Sequence, residues 1–161
     1  MIENVFCVLL IFLLTPLASA QTLTATGDAW IFEIGADDLE SPGAGQPLRS
    51  TYESSSTAVE VDVEDVAAED WTVDVRRTDD ELTPWPQDLE LSVRWTDQGT
   101  GTVALSGGST YVDIQEGGGV FFSGTDNRTG IQLQYQLSGV SLSTPPGTYN
   151  TTVLFTVTLD N

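Results

Sequence analysis

The sequence predicts an all-β protein, an antiparallel β-sandwich of about seven to nine strands. First, apolar and polar residues alternate with a period of two in one segment after another, as in Thr57–Glu64 ("TAVEVDVE"). Such alternation is typical of half-buried antiparallel strands. Second, turn-forming segments such as "SPGAGQP" and "STPPG" separate these stretches at intervals that suit a sandwich. Third, the one helix candidate, Asp65–Asp70, is too short for more than a turn.

Seven segments carry the alternating pattern, and each is predicted to form a strand with one apolar face. They are Thr22–Thr26, Ala29–Ile34, Thr57–Glu64, Trp71–Arg76, Leu89–Trp95, Ile131–Leu137 and Tyr149–Leu159. We expect Trp71, Val93, Tyr135 and Phe155 to share one core between two facing sheets. The longest irregular connection, Gly35–Ser50, is either a functional loop or a crossover between the sheets.

The first twenty residues have the features of an export signal. Val5–Leu14 is an unbroken apolar run, and Ala18–Ala20 supplies the small residues that a signal peptidase accepts. The alternative is an uncleaved anchor, but a membrane span needs about 20 apolar residues. We therefore predict a signal peptide over residues 1–20 and one sandwich domain over residues 21–161, secreted or at the cell surface and not inserted in a membrane after cleavage.

The charged residues exclude several classes of function. The chain has 24 Asp and Glu, five Lys and Arg, all of them arginine, no histidine, and one cysteine, Cys7, within the predicted signal. Imidazoles, thiolates and Schiff-base amines are therefore missing from the predicted domain, which argues against an enzyme or a bound cofactor. With a net charge of −19, we also expect no nucleic-acid partner, because nothing neutralises phosphates. Such acidity is typical both of salt-loving organisms and of many surface proteins.

The C-terminal segment "LSGVSLSTPPGTYNTTVLFTVTLDN" resembles the end of the spore coat U and fimbrial-like secreted domains. In those domains a "P-x-G-T-Y" turn leads into a final alternating strand. Upstream, "WTVDVRR", "LELSVRW" and "FFSG" are similar in character to small bacterial surface sandwiches. The resemblance implies an immunoglobulin-like fold and, in the pilus members, assembly by strand donation, in which the N-terminal extension of one subunit completes the sheet of the next.

A donor strand must be extended, alternating and able to pair with an exposed sheet edge. The segment "QTLTATG" after the predicted cleavage site has these properties. The candidate donor residues are Thr22, Leu23, Thr24, Ala25 and Thr26. The alternative, that they form the first strand of their own sandwich, is the simpler one, because consecutive strands usually stay together.

Two further features bear on possible ligands. Trp85, between two prolines, is a candidate exposed aromatic that could stack on a sugar ring, or it caps one end of the core. Acidic clusters at Asp37–Glu40, Asp79–Glu81 and Asp126–Asn127 leave a bound calcium ion as an alternative to solvated charge.

Two asparagines match the acceptor pattern for N-glycosylation, Asn127 before Arg-Thr and Asn150 before Thr-Thr. Taken together, the sequence indicates a secreted acidic structural surface protein, a pilus- or filament-like subunit whose partners are copies of itself through strand exchange. The alternative is an adhesive module that binds surface carbohydrate or calcium.

Salt is expected to stabilise the fold. Loss of Glu3 with the signal changes the net charge from −19 to −18, and carboxylates on a compact body repel one another until ions screen them. The melting temperature, followed by circular dichroism, should therefore rise from low salt to molar NaCl. A melting temperature that does not respond to salt would show that the carboxylates lie too far apart to interact.

Overall fold

The computed structural model describes residues 21–31, 33–41, 45–66, 68–82 and 84–160. The regular secondary structure of this part of the chain is almost entirely β and is arranged in two antiparallel sheets, which confirms the all-β sandwich. It contains no helix long and apolar enough to cross a membrane. The predicted signal peptide, residues 1–20, lies outside the described residues.

Nine strands and one short 3₁₀-helix, Ala36–Asp38, lie in the described part of the chain. The strands are β1 (Thr22–Gly27), β2 (Thr51–Glu53), β3 (Val59–Glu64), β4 (Asp70–Asp79), β5 (Glu90–Asp97), β6 (Val112–Asp113), β7 (Gly119–Thr125), β8 (Arg128–Ser138) and β9 (Thr151–Leu159). One sheet has the order β1-β3-β8-β5-β6, with β2 also paired to β8, and the other has the order β7-β4-β9.

The core between the sheets follows from the two-residue period. In β3 the valines Val61 and Val63 are fully buried, while Glu60 and Glu64 face solvent. Trp71 of β4 lies in the middle of this core and is itself fully buried. Its ring packs edge-to-face on Phe122, with centroids 6.0 Å apart. Its Nε1 donates a hydrogen bond of 2.9 Å to the Asp126 carbonyl, so burial of the indole leaves no unpaired donor.

One side of the sandwich is closed by the segment between β5 and β6. Ser106 exchanges two backbone hydrogen bonds of 2.9 Å with Ser123 of β7, and Thr100 pairs with Thr129 of β8. The Trp95 N–H donates to the Gly108 carbonyl at 2.9 Å, and a Cβ on Gly108 would lie 2.9 Å from the Trp95 ring. The segment therefore ties the two sheets together, and a glycine is needed where it passes the indole.

The predicted strand Ala29–Ile34 is wrong for the residues that are described. Trp30 turns inward and stacks on Tyr135, with ring centroids 6.4 Å apart, whereas Ile31 is 83% exposed. The ladder between β1 and β3 ends at Gly27 and Val59, and it does not continue into Ala29–Ile31. Phe32, the third residue of that predicted face, lies outside the described residues.

The predicted core is confirmed in composition, but it is not uniformly buried. Trp71 and Val93 are fully buried, whereas Tyr135 and Phe155 are partly buried at its margin. Phe155 lies on β9, an edge strand that pairs only with β4, so its side chain has a neighbouring strand on one side only.

Replacement of two phenylalanines should measure this difference. Phe122→Ala removes a buried ring and should cost about 3–5 kcal/mol of unfolding free energy, whereas Phe155→Ala should cost about 1–2 kcal/mol because its ring is partly solvated already. Urea denaturation of the two variants measures the effect of the same substitution, phenylalanine to alanine, at the two positions. Equal losses would mean that the β9 side is covered in solution.

Candidate functional site

The side of the sandwich opposite the closing segment is formed by two edge strands, β1 and β9. β1 is the edge of the larger sheet and β9 the edge of the smaller one, and the two strands approach each other there. Neither is paired with the other, since β1 pairs with β3 and β9 pairs with β4. This open side is the candidate functional site.

The candidate donor segment lies in β1, where the structure pairs it with β3 of its own sandwich. The register runs from Thr22 opposite Glu64 to Gly27 opposite Val59. Only the Leu23 side chain is partly buried along the strand; the others are exposed. A Cβ on Gly27 would lie 2.4 Å from the Ala58 carbonyl oxygen, so glycine is required where the strand leaves the sheet.

The outward faces of β1 and β3 differ sharply in charge. Threonines of β1 stand opposite carboxylates of β3; the pairs are Thr22 with Glu64, Thr24 with Asp62, and Thr26 with Glu60. β1 has no charged residue of its own. Like charges directly opposite each other destabilise a sheet, and here a neutral row meets an acidic one.

β9 is longer than β1 and equally free of charge. It pairs with β4 over nine consecutive positions, from Trp71 opposite Leu159 to Asp79 opposite Thr151, with no shift of register. The four inward side chains are partly buried and pack against the core; they are Val153, Phe155, Val157 and Leu159. On the outer face Leu154 is 37% exposed.

The acidic clusters do not converge in the described part of the chain, where no group of three or more acidic side chains is placed to hold a metal ion. In the first cluster the Asp38 carboxylate accepts a hydrogen bond of 2.9 Å from the Gly35 N–H and pairs with Arg49. These two contacts lower the pKa of Asp38. In the second cluster Asp79 pairs with Arg77. The Asp38 and Asp79 carboxylates are thus both paired with arginines of the same chain.

Trp85 is half-buried and packs against the core instead of projecting into solvent. Its Nε1 donates a hydrogen bond of 2.7 Å to the Leu89 carbonyl. The Arg77 guanidinium lies over the indole, 5.5 Å from the ring centroid. With one face covered by a cation and the N–H already bonded, the ring is poorly placed to stack on a sugar.

The two glycosylation candidates are both exposed. The Asn127 side-chain oxygen accepts a hydrogen bond of 3.1 Å from the Val66 N–H, which ties this residue to the loop after β3. Asn150 lies immediately before β9, and its carbonyl accepts a hydrogen bond from the Asp80 N–H.

A polar network on the outer face of the larger sheet was not predicted from the sequence. The Tyr111 hydroxyl lies 2.9 Å from a Glu53 carboxylate oxygen and 3.0 Å from the Gln134 side-chain oxygen. Arg94 donates to that same amide oxygen at 2.8 Å and lies over the Tyr111 ring, 4.6 Å from its centroid. Gln134 donates in turn to the Ser54 carbonyl. The only available signal was the outward position of Arg94 and Gln134 on neighbouring alternating strands.

Comparison of the chain with protein-family models, with curated proteins and with solved structures finds no match. The open side and the charges around it are the features of the molecule that bear on its function.

Two tyrosines should make the fold sensitive to alkali. Burial, and for Tyr111 also the bond to Glu53, raises the pKa of Tyr111 and Tyr135 to about 12, above the ordinary value of 10.0. Because the pKa of each tyrosine is higher in the folded chain than in the unfolded chain, the free energy of unfolding keeps its full value below pH 10 and falls as the pH rises towards 12. Urea midpoints measured from pH 9 to 12 should fall, and less steeply in Tyr135→Phe. An equal fall in that variant would assign the loss to other groups.

Proposed function

We propose that this chain is a secreted, acidic structural surface protein that assembles with copies of itself by exchange of β1. The observation that carries the proposal is the weak attachment of β1 to its own sandwich. It is a six-residue edge strand bonded on one side only, with a single partly buried side chain. Edge strands of this kind can join the sheet of a neighbouring molecule.

The energetic cost of releasing β1 is small. Leu23 is half-buried and Ala25 is exposed, so detachment returns about 1 kcal/mol of apolar burial to water. The larger loss is the backbone ladder to β3, and an identical strand from another copy restores that ladder with the same register. Exchange therefore replaces each contact that it removes.

The charges of the chain are compatible with β1 as the exchanged element. A subunit with a net charge near −18 repels its own copies. β1 carries no charge and faces carboxylates with threonine hydroxyls, so its insertion beside another β3 adds no like-charge pair. Screening by salt reduces the remaining repulsion between the bodies of the subunits.

The alternative of an adhesive module has less support from the described residues. A carbohydrate site would need an accessible aromatic ring, and Trp85 packs against the core beneath Arg77. A calcium site would need several convergent oxygens, and the acidic side chains that are described do not supply such a group.

A reversible lock tests the exchange of β1. Thr22 and Glu64 are exposed register partners, so a Thr22→Cys/Glu64→Cys chain that also carries Cys7→Ser should close a disulfide within one molecule. In molar NaCl the oxidised chain should remain unpolymerised, and reduction should release β1 and allow polymers to form, as seen by light scattering and electron microscopy.

A deletion and two possible contradicting outcomes complete the test. Deletion of Gln21–Thr26 should abolish polymers and leave a subunit that binds a synthetic "QTLTATG" peptide. A Cys7→Ser chain without the lock that fails to polymerise at high protein and salt concentration would contradict the proposal. Polymerisation of the oxidised, locked chain to the same extent would contradict it equally.

A further inference from the structure

The free edge of β9 presents a regular row of backbone groups. The Asp160 N–H donates to the Asp70 carbonyl at 2.9 Å, and the Asn150 carbonyl accepts from the Asp80 N–H. Even-numbered residues of this strand therefore point their backbone groups towards β4. Because the direction alternates along a strand, the odd-numbered residues Thr151 to Leu159 point theirs away from it. No other described residue bonds to these outward groups.

The edge also lacks the devices that usually protect such a strand. Natural edges carry charges, prolines or bulges that prevent pairing with another chain. Thr151–Leu159 reads "TTVLFTVTL", without charge or proline, and its ladder with β4 has no bulge. In a chain with 24 acidic residues, a nine-residue edge free of carboxylates is a surface on which two copies can meet without repulsion at the contact.

We propose that β9 pairs with the β9 of a second copy, antiparallel about a twofold axis at Phe155, to join the two smaller sheets into one of six strands. In an antiparallel pair, a residue whose backbone groups point towards the partner strand lies opposite a residue whose backbone groups also point towards its partner. Odd-numbered residues of β9 can therefore lie opposite odd-numbered residues only. The partly buried face of one copy therefore always continues the partly buried face of the other. Centring on Phe155 pairs the whole of Thr151–Leu159 with itself.

The side chains brought together in this register are complementary. On the inner face Val153 lies opposite Val157 of the second copy, and the two Phe155 rings lie opposite each other. On the outer face Leu154 lies opposite Thr156. Cross-strand pairs of aromatic and β-branched residues are those that stabilise sheets. The four half-covered inward side chains of β9 thus gain the neighbour that the isolated sandwich lacks.

The ends of the strand also fit in this register. Asp160 follows β9 and Asn150 precedes it, so centring on Phe155 sets each Asp160 opposite Asn150 of the second copy. A carboxylate then faces a neutral amide, and the two Asp160 carboxylates lie at opposite ends of the paired strands. The interface avoids the like-charge contact that the net charge would otherwise impose.

This contact is independent of the exchange of β1. It uses the edge of the other sheet, includes no residue of Gln21–Gly27, and closes on itself after two copies because the same strand serves both partners. The chain with β1 locked to β3 by a disulfide should therefore still dimerise. Failure of β1 exchange and failure of β9 pairing give separate results.

Disulfides formed between two different cysteine variants test whether β9 of a second copy pairs with this edge, and in which register it does so. Even-numbered residues form the non-hydrogen-bonded pairs of the proposed contact, with Cα atoms about 4.5 Å apart, which is within the range that a disulfide spans. Leu154→Cys and Thr156→Cys chains, each with Cys7→Ser, should give a covalent heterodimer as the main product when mixed and oxidised. The matched control pairs Leu154→Cys with Thr152→Cys, on the same face but four residues out of register, and should lose that product.

A charge substitution tests the contact without a disulfide between the copies. Leu154→Asp places a carboxylate in the interface but opposite Arg76 within its own sheet, so the subunit should stay folded. In the chain with β1 locked to β3, this substitution should shift the sedimentation profile from dimer to monomer. Leu142→Asp makes the same leucine-to-aspartate change in a turn outside both sheets, where the side chain is 69% exposed, and should leave the dimer intact.

Three outcomes would overturn the proposal. They are equal cross-linking of the two cysteine mixtures, an equal effect of the two aspartates on the dimer, and a chain with β1 locked to β3 that sediments as a monomer at all protein concentrations in molar NaCl.

Discussion

The whole structure depends on burial of apolar side chains between the two sheets. The chain has no cysteine after Cys7, so within the described sandwich no disulfide can hold the sheets together, and 24 carboxylates oppose compaction. Strict alternation solves both problems, because it sends Val61 and Val63 into the core and their acidic neighbours outward along the same strand. Trp71 shows how fully the core is used, since even its N–H is bonded to a loop carbonyl. The strands β1 and β9 are covered by this core only in part.

These two edges share one chemical character. Each is uncharged in an acidic molecule, and each is bonded on one side. They differ in what they can build. Exchange of β1 places a strand of one copy in the sheet of another and can continue indefinitely, whereas pairing of β9 with itself ends at two copies. Together, the two proposed contacts would couple filaments in pairs, with the acidic faces of β3 outward.

Most strands could be predicted from the period of two, because β3, β4, β5, β8 and β9 bury one face and expose the other. The alternating pattern does not describe the structure in two places, one beyond the end of a strand ladder and one at a β-bulge. Trp30 and Ile34 have strand spacing, but neither residue is in a strand, and the ladder between β1 and β3 ends at Gly27. In β7 the adjacent residues Phe121 and Phe122 are both buried, because a bulge opposite Val73 removes one step of the alternation. For the site, composition identified β1 as a candidate, but the direction of the β9 backbone groups and the Tyr111 network required coordinates.

The position of the edge strands also determines how the sandwich would respond to mechanical load. β1 and β9 are the first and last strands of the described chain, and each has a single ladder, while β3, β4 and β8 are bonded on both sides. Tension applied through the two ends of the described domain would therefore reach these two single ladders first. β1, with six paired positions and one partly buried side chain, would yield before β9, which is paired over nine positions and packs on the core, so that the domain would give way in steps.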